Sequence, residues 1–192
     1  MNREHPILNS GSAFNCLKHE MSHNLDVVEF APRQFIQIRN LEKNGITKAD
    51  LQAYSEQAAK AVLPGTYFTA KSLREDGFTS EKLEDCGFDD WFFGSLLAEN
   101  TRQFSFQRIG NTRIFLRGEK DAALGDMLTR LIEQTPEQYM EIHDLNELLE
   151  KRYGITLPLS KLIQIIGETT MFYEPTTMKT VYLDYDVYYE EI

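Results

Sequence analysis

Cysteine is scarce in this chain: two in 192 residues, Cys16 and Cys86, far apart and in unrelated contexts. That excludes a disulfide framework and fits reduced thiols, so the expected location is the cytoplasm. Long apolar runs are lacking as well. The longest candidates, at 91–98 and 162–166, fall far short of the roughly 18 residues a membrane helix requires. The first twelve residues are polar and hold no apolar segment of signal-peptide type, so neither a membrane nor a secretory leader is expected. A Gly-rich phosphate loop, a CxxC pair and a G-x-S-x-G elbow are all absent from the sequence. No cofactor and no small-molecule substrate is therefore expected, and the chain does not read as an enzyme.

What the sequence does hold is enough apolar material for a core. Hydrophobic residues make up 42% and aromatics 11%, which argues against disorder. The net charge of −10 is unevenly spread. Residues 1–46 carry five Lys/Arg against five Asp/Glu, and residues 47–118 carry nine against ten. Residues 119–192 carry six against fifteen, a net −9. A surface of that sign repels phosphate backbones, so the last third is a poor general nucleic-acid binder.

Two stretches read alike. Tyr67-Phe68-Thr69-Ala70-Lys71-Ser72-Leu73 has its counterpart in Tyr139-Met140-Glu141-Ile142-His143-Asp144-Leu145, and Leu96-Leu97-Ala98-Glu99 in Ile165-Ile166-Gly167-Glu168. Each is followed by an aromatic-rich strand pair, 104–108 with 112–117 and 171–174 with 180–184. The turn Ile109-Gly110-Asn111 has the residues that a tight hairpin needs. Each copy thus reads as helix, short strand, helix, helix, hairpin. In the first, Thr47 caps a helix over 48–62 with Asp50 three positions on, Pro64-Gly65 stops it, and further helices span 71–76 and 89–100. In the second the helices span 121–133, 142–153 and 159–168, and Gly154 ends the middle one.

That order resembles the winged helix-turn-helix superfamily, over residues 47–184. The wording Tyr67-Phe68-Thr69, Gly77-Phe78 and Gly87-Phe88-Asp89-Asp90-Trp91-Phe92 is also similar to modules of bacterial regulatory, sigma-factor-like proteins. The expected fold is α+β: an N-terminal arm or small extension over 1–46, then winged-helix units of three helices plus a β-hairpin over 47–118 and 119–192.

The resemblance implies that the third helix reads a DNA major groove while the wing touches phosphate or the minor groove. In the first unit that helix offers Asp89, Asp90, Glu99 and Asn100 but no Lys or Arg, which argues against groove reading; Trp91, Phe92 and Phe93 are expected in the core. The first wing is basic instead. Arg102, Arg108, Arg113 and Arg117 form a set that suits phosphates. The same set equally suits a solvated ribbon whose charges guard an edge from aggregation. In the second unit Lys161 and Gln164 are the candidate contacts. The segment 184–192 mixes acids with tyrosines, which suits a protein contact with a basic partner or a second copy, or one last strand or turn. Protein contact or self-association is the leading expectation, and DNA binding the alternative.

One enzyme-like pattern occurs. His19-Glu20-Met21-Ser22-His23 matches H-E-x-x-H, in which His19 and His23 would bind zinc and Glu20 polarise a water. Only eighteen residues precede it, too few for the substrate-binding sheet that such peptidases place before that helix. The histidines are read as incidental to a surface helix or arm, and no metal is expected.

Overall fold

A computed structural model describes residues 24–118, 120–176 and 179–191 of the chain. Strands β1 (Val27–Ala31) and β2 (Gln34–Gln37) form an antiparallel hairpin leading into the short helix α1 (Ile38–Glu42). Helix α2 (Lys48–Ala61), strand β3 (Tyr67–Phe68) and helix α3 (Ala70–Glu75) follow, then one turn α4 (Glu81–Glu84) and helix α5 (Asp90–Glu99). The hairpin of β4 (Phe104–Ile109) and β5 (Thr112–Arg117) comes next. Helix α6 (Leu124–Glu133), strand β6 (Tyr139–Glu141) and helices α7 (Ile142–Tyr153) and α8 (Leu159–Ile166) then lead to strands β7 (Phe172–Glu174) and β8 (Thr180–Tyr182). Helix α9 (Tyr185–Glu191) is the last described element. The fold is α+β. Its two three-stranded antiparallel sheets have the orders β3-β5-β4 and β6-β8-β7. In each, the leading strand pairs with the second strand of the following hairpin.

The described residues divide into two compact units that interleave in sequence: one holds those up to Ala61 together with Thr79–Thr101, the other Val62–Phe78 together with those from Arg102 onward. In the first, β1 and α2 pack on α5. Helix α5 begins where the Asp89 carboxylate accepts hydrogen bonds from the amides of Trp91 (3.0 Å) and Phe92 (3.4 Å), satisfying donors that the helix leaves unpaired. Beyond that cap every residue from Trp91 to Leu97 is buried. Phe92 stacks on Phe88 with ring centroids 4.0 Å apart, and Phe93 meets Tyr54 of α2 at 5.2 Å. A helix buried on every side over about two turns belongs inside a core, and α5 is one over Trp91–Leu97.

Helix α2 opens on the expected cap. The Asp50 amide donates to Thr47 Oγ1 (3.3 Å), and the Thr47 amide donates back to Asp50 Oδ2 (2.7 Å). Lys82 Nζ reaches the same carboxylate at 2.6 Å. The Lys82 hydrogen bond, then the Thr47 amide and hydroxyl, hold the Asp50 pKa down from 3.8 to about 2. Because the folded pKa lies below the unfolded one, this stabilisation is complete above about pH 4 and is lost as pH falls toward 2. Asp50→Asn should therefore flatten part of the acid-side loss of stability between those values, and Asp50→Ala should cost about 0.5–2 kcal/mol at neutral pH. Urea unfolding at a series of pH values checks both; an unchanged acid limb in Asp50→Asn refutes the first.

The second unit is built around one core. Ile114 and Leu116 of β5 join Met127, Leu128 and Ile132 of α6, Leu145 and Leu149 of α7, Leu162 and Ile166 of α8, and Val181 of β8. Helix α3 packs along α7. Lys71 Nζ donates to the carbonyls of Glu150 and Lys151, and Arg152 pairs with Asp76 at 2.7 Å. A lysine over the last carbonyls of a helix satisfies free acceptors and opposes the negative dipole end. Helix α7 stops at Gly154, whose φ of +67° suits glycine; its amide donates to the Glu150 carbonyl (3.1 Å) and the Ile155 amide to that of Leu149 (2.9 Å).

Three features differ from the sequence expectation. Residues 185–191 form a helix rather than a strand or turn. Within 1–46, expected as an arm or small extension, Val27–Ala31 and Gln34–Gln37 pair as a hairpin that packs on the core helix α5. The turn α4 carries no periodic apolar pattern to announce it; Leu83 is its single buried residue.

Candidate functional site

Side chains alternate across a strand, and β5 puts Ile114 and Leu116 into the core while Arg113, Phe115 and Arg117 take the other face. Their cross-strand partners Arg108, Phe106 and Phe104 share that face. The hairpin therefore presents two directly opposed arginines, Arg108 and Arg113, beside the turn. Arg108 is exposed, and its Nε donates to the Gly110 carbonyl at 3.0 Å; Arg113 is half-buried. Arg117, at the far end of the strand, is half-buried and hydrogen-bonded to the Val62 carbonyl, which ties the 62–66 connection to the sheet. Arg102 is exposed, two residues before β4. The turn end of the hairpin is fastened as well: Thr112 Oγ1 donates to the Gly154 carbonyl at 2.6 Å. The four arginines thus fall into an opposed pair at the turn and two single residues near the other end. Arg102 and Arg108 are the exposed ones.

Lys161 and Gln164 lie exposed on α8. Lys161 Nζ donates to Gln164 Oε1, and Gln164 Nε2 donates in turn to Glu168 Oε1, both at 3.1 Å. A single lysine feeding a carboxylate through an amide leaves this face with little positive field.

Two further surfaces are assembled by the fold, and of these only the tyrosine-rich segment 184–192 of the second was legible as a contact site in the sequence. One is a groove of about 820 Å³ in the second unit, where Arg117, Lys120 and Arg130 are set against Asp126, Glu133 and Glu168, with Tyr67 in its wall. Burial, reinforced by the nearby Asp126 charge, raises the Tyr67 phenol pKa above its ordinary value. The two signs balance, so the groove selects no charge. Its residues come from four separate stretches of the chain, which no local pattern could have gathered.

The other is aromatic. Tyr139, Tyr182 and Phe172 form one row across β6-β8-β7. Helix α9 adds to it. Tyr185 and Tyr188 each bring their ring centroids to 4.7 Å from Phe172, and Tyr189 meets Tyr185 at 4.7 Å. Tyr182 is buried, and the desolvation raises its phenol pKa. Tyr185 and Tyr189 remain 49% and 57% exposed, with their hydroxyls 3.2 Å apart. That hydrogen bond is the main cause of a raised Tyr185 pKa. The i, i+3, i+4 spacing of Tyr185, Tyr188 and Tyr189 was the available signal for a helical ring cluster.

Among the described residues no group of three His, Cys, Asp or Glu side chains is placed to hold a metal ion; His19 and His23 lie outside the described residues. No helix among the described residues is long and apolar enough to cross a membrane. Comparison with protein-family models, curated proteins and solved structures finds no match to this chain.

Proposed function

We propose that this chain is a non-enzymatic regulatory or adaptor module of two tandem winged-helix units, working mainly through protein contacts. The matching antiparallel sheet orders β3-β5-β4 and β6-β8-β7, each with a helix before its first strand and further helices between that strand and its hairpin, support the tandem reading. The observation that carries the functional reading is α5. In a winged helix this third helix would enter the groove, yet here Trp91 through Leu97 are buried and its leading end carries Asp89 and Asp90. A helix without an open face cannot lie in a groove, and two carboxylates at its tip would meet phosphate. The net −9 of residues 119–192 adds to that repulsion. Titration of a labelled random-sequence duplex at physiological salt is expected to show no binding. Strong, salt-sensitive binding would overturn the reading.

The opposed pair Arg108 and Arg113 favours a second reading, a transcription-related DNA binder that uses the first wing. On that reading Arg108→Ala with Arg113→Ala weakens binding and lowers the slope of log affinity against log salt by about 0.9 per lost phosphate contact. An unchanged slope removes it.

A further inference from the structure

We infer that the ring cluster of α9 and the sheet beneath it is a docking surface for an arginine-rich segment of a partner protein. The inference deepens the adaptor reading and rests on it. Three observations converge. First, the cluster has a floor and an open side: Tyr182 is 4% exposed, while Tyr185 and Tyr189 expose about half of their surface. Large exposed rings backed by rigid packing lose little entropy when a partner covers them, as aromatic anchors at interfaces do. Second, the charge along the segment that carries the exposed rings has one sign. Between Thr180 and Glu191 the chain carries Asp184, Asp186, Glu190 and Glu191 and no Lys or Arg. Asp184 Oδ1 is engaged by the amides of Asp186 and Val187 at 2.9 Å each, whereas Asp186, Glu190 and Glu191 are exposed. Third, the two chemistries are interleaved on one short helix, so a ligand that covers a ring also lies beside a carboxylate.

That combination selects its occupant. An apolar segment would use the rings but bring the carboxylates no partner. A lysine-rich segment would meet the charge, but its strongly hydrated ammonium gains less from a phenol face. A guanidinium is planar and more weakly hydrated: it stacks on the ring while its edge donates two parallel hydrogen bonds to a carboxylate. An extended, flexible arginine-rich segment can deliver several such groups along the helix.

The test uses the full chain and a fluorescein-labelled peptide of alternating arginine and glycine, with an alternating lysine–glycine peptide of equal length, followed by fluorescence anisotropy. The arginine peptide should bind more tightly than the lysine peptide. Tyr185→Ala with Tyr189→Ala leaves the charge unchanged and should weaken arginine-peptide binding roughly tenfold, the loss of two exposed cation–π contacts. Tyr185→Phe with Tyr189→Phe keeps the rings and should retain most of the affinity. Both positions are exposed, so an unchanged unfolding midpoint shows that the fold is intact. Equal binding of the two peptides, or no loss in the double alanine variant, would reduce the surface to plain charge attraction and overturn the inference. A dimer in sedimentation runs that the double alanine variant dissociates would name a second copy as the occupant and overturn it too. Failure here with no duplex binding leaves the adaptor reading standing; duplex binding removes that reading whatever the peptides do.

Discussion

Phe92→Ala should destabilise the protein by about 3–5 kcal/mol, and Ser95→Lys should be at least as damaging. Phe92 is fully buried, stacked on Phe88 and edge-on to Phe93 at 5.5 Å. Alanine removes the ring and leaves a cavity that flanking aromatics cannot fill without leaving their own contacts. Against a total stability of about 5–15 kcal/mol, such a loss takes a large fraction of the whole. Phe92→Leu, which keeps most of the volume, should cost much less. Ser95 is the more discriminating position. On an exposed groove-reading helix it would tolerate lysine, and the added charge would strengthen DNA binding. Here it is 6% exposed, with its hydroxyl donating to the Trp91 carbonyl at 2.9 Å. A lysine at that point buries an ammonium among aromatics. Urea unfolding of Phe92→Ala and Phe92→Leu, with soluble yield and unfolding of Ser95→Lys, checks the set. A well-folded Ser95→Lys protein that gains affinity for duplex DNA would return α5 to the role its place in the sequence suggests.

The parts of the fold legible in the sequence are those fixed within a few residues. The Thr47–Asp50 cap, the Gly154 stop and the turn at Gly110-Asn111 each depend on one local geometry, and each is found. The Trp91-Phe92-Phe93 run was readable as core because three consecutive aromatics exceed what one helix face can display, and all three are buried. Less legible was whatever tertiary contact decides. The sequence Tyr185-Asp186-Val187-Tyr188-Tyr189 contains good strand formers, yet Asp184 caps a helix there and the rings settle on Phe172. Strand β2 has Arg33 at φ +63° before it, a turn that no glycine announces. For the surface, the four arginines were visible as a set on or beside the hairpin, but the opposition of Arg108 and Arg113 was not, because Ile109 belongs to the strand and pairs with Thr112. That Arg117 serves the Val62 carbonyl was not, since fifty-five residues separate the two.

Gly125→Ala should destabilise the second unit by about 1–3 kcal/mol, although helix propensity taken alone would predict a gain approaching 1 kcal/mol. Helix α6 packs on α8, and a Cβ at Gly125 would lie 2.9 Å from Thr169 Cγ2, closer than such atoms approach. The threonine is not free to swing aside. Its Oγ1 donates to the Ile166 carbonyl at 2.7 Å and accepts from the Met171 amide at 3.1 Å, so rotating the methyl away gives up both bonds. Thr169→Ser removes the offending methyl and keeps the hydroxyl. The double variant Gly125→Ala with Thr169→Ser should therefore recover most of the loss, a coupling that a double-mutant cycle by urea unfolding measures directly. If Gly125→Ala proves neutral or stabilising by itself, α6 and α8 yield at this contact. If the coupling appears, the close approach of these helices sets the lower wall of the core to which Met127, Leu162 and Ile166 contribute, and Gly125 is retained for space rather than for its backbone freedom.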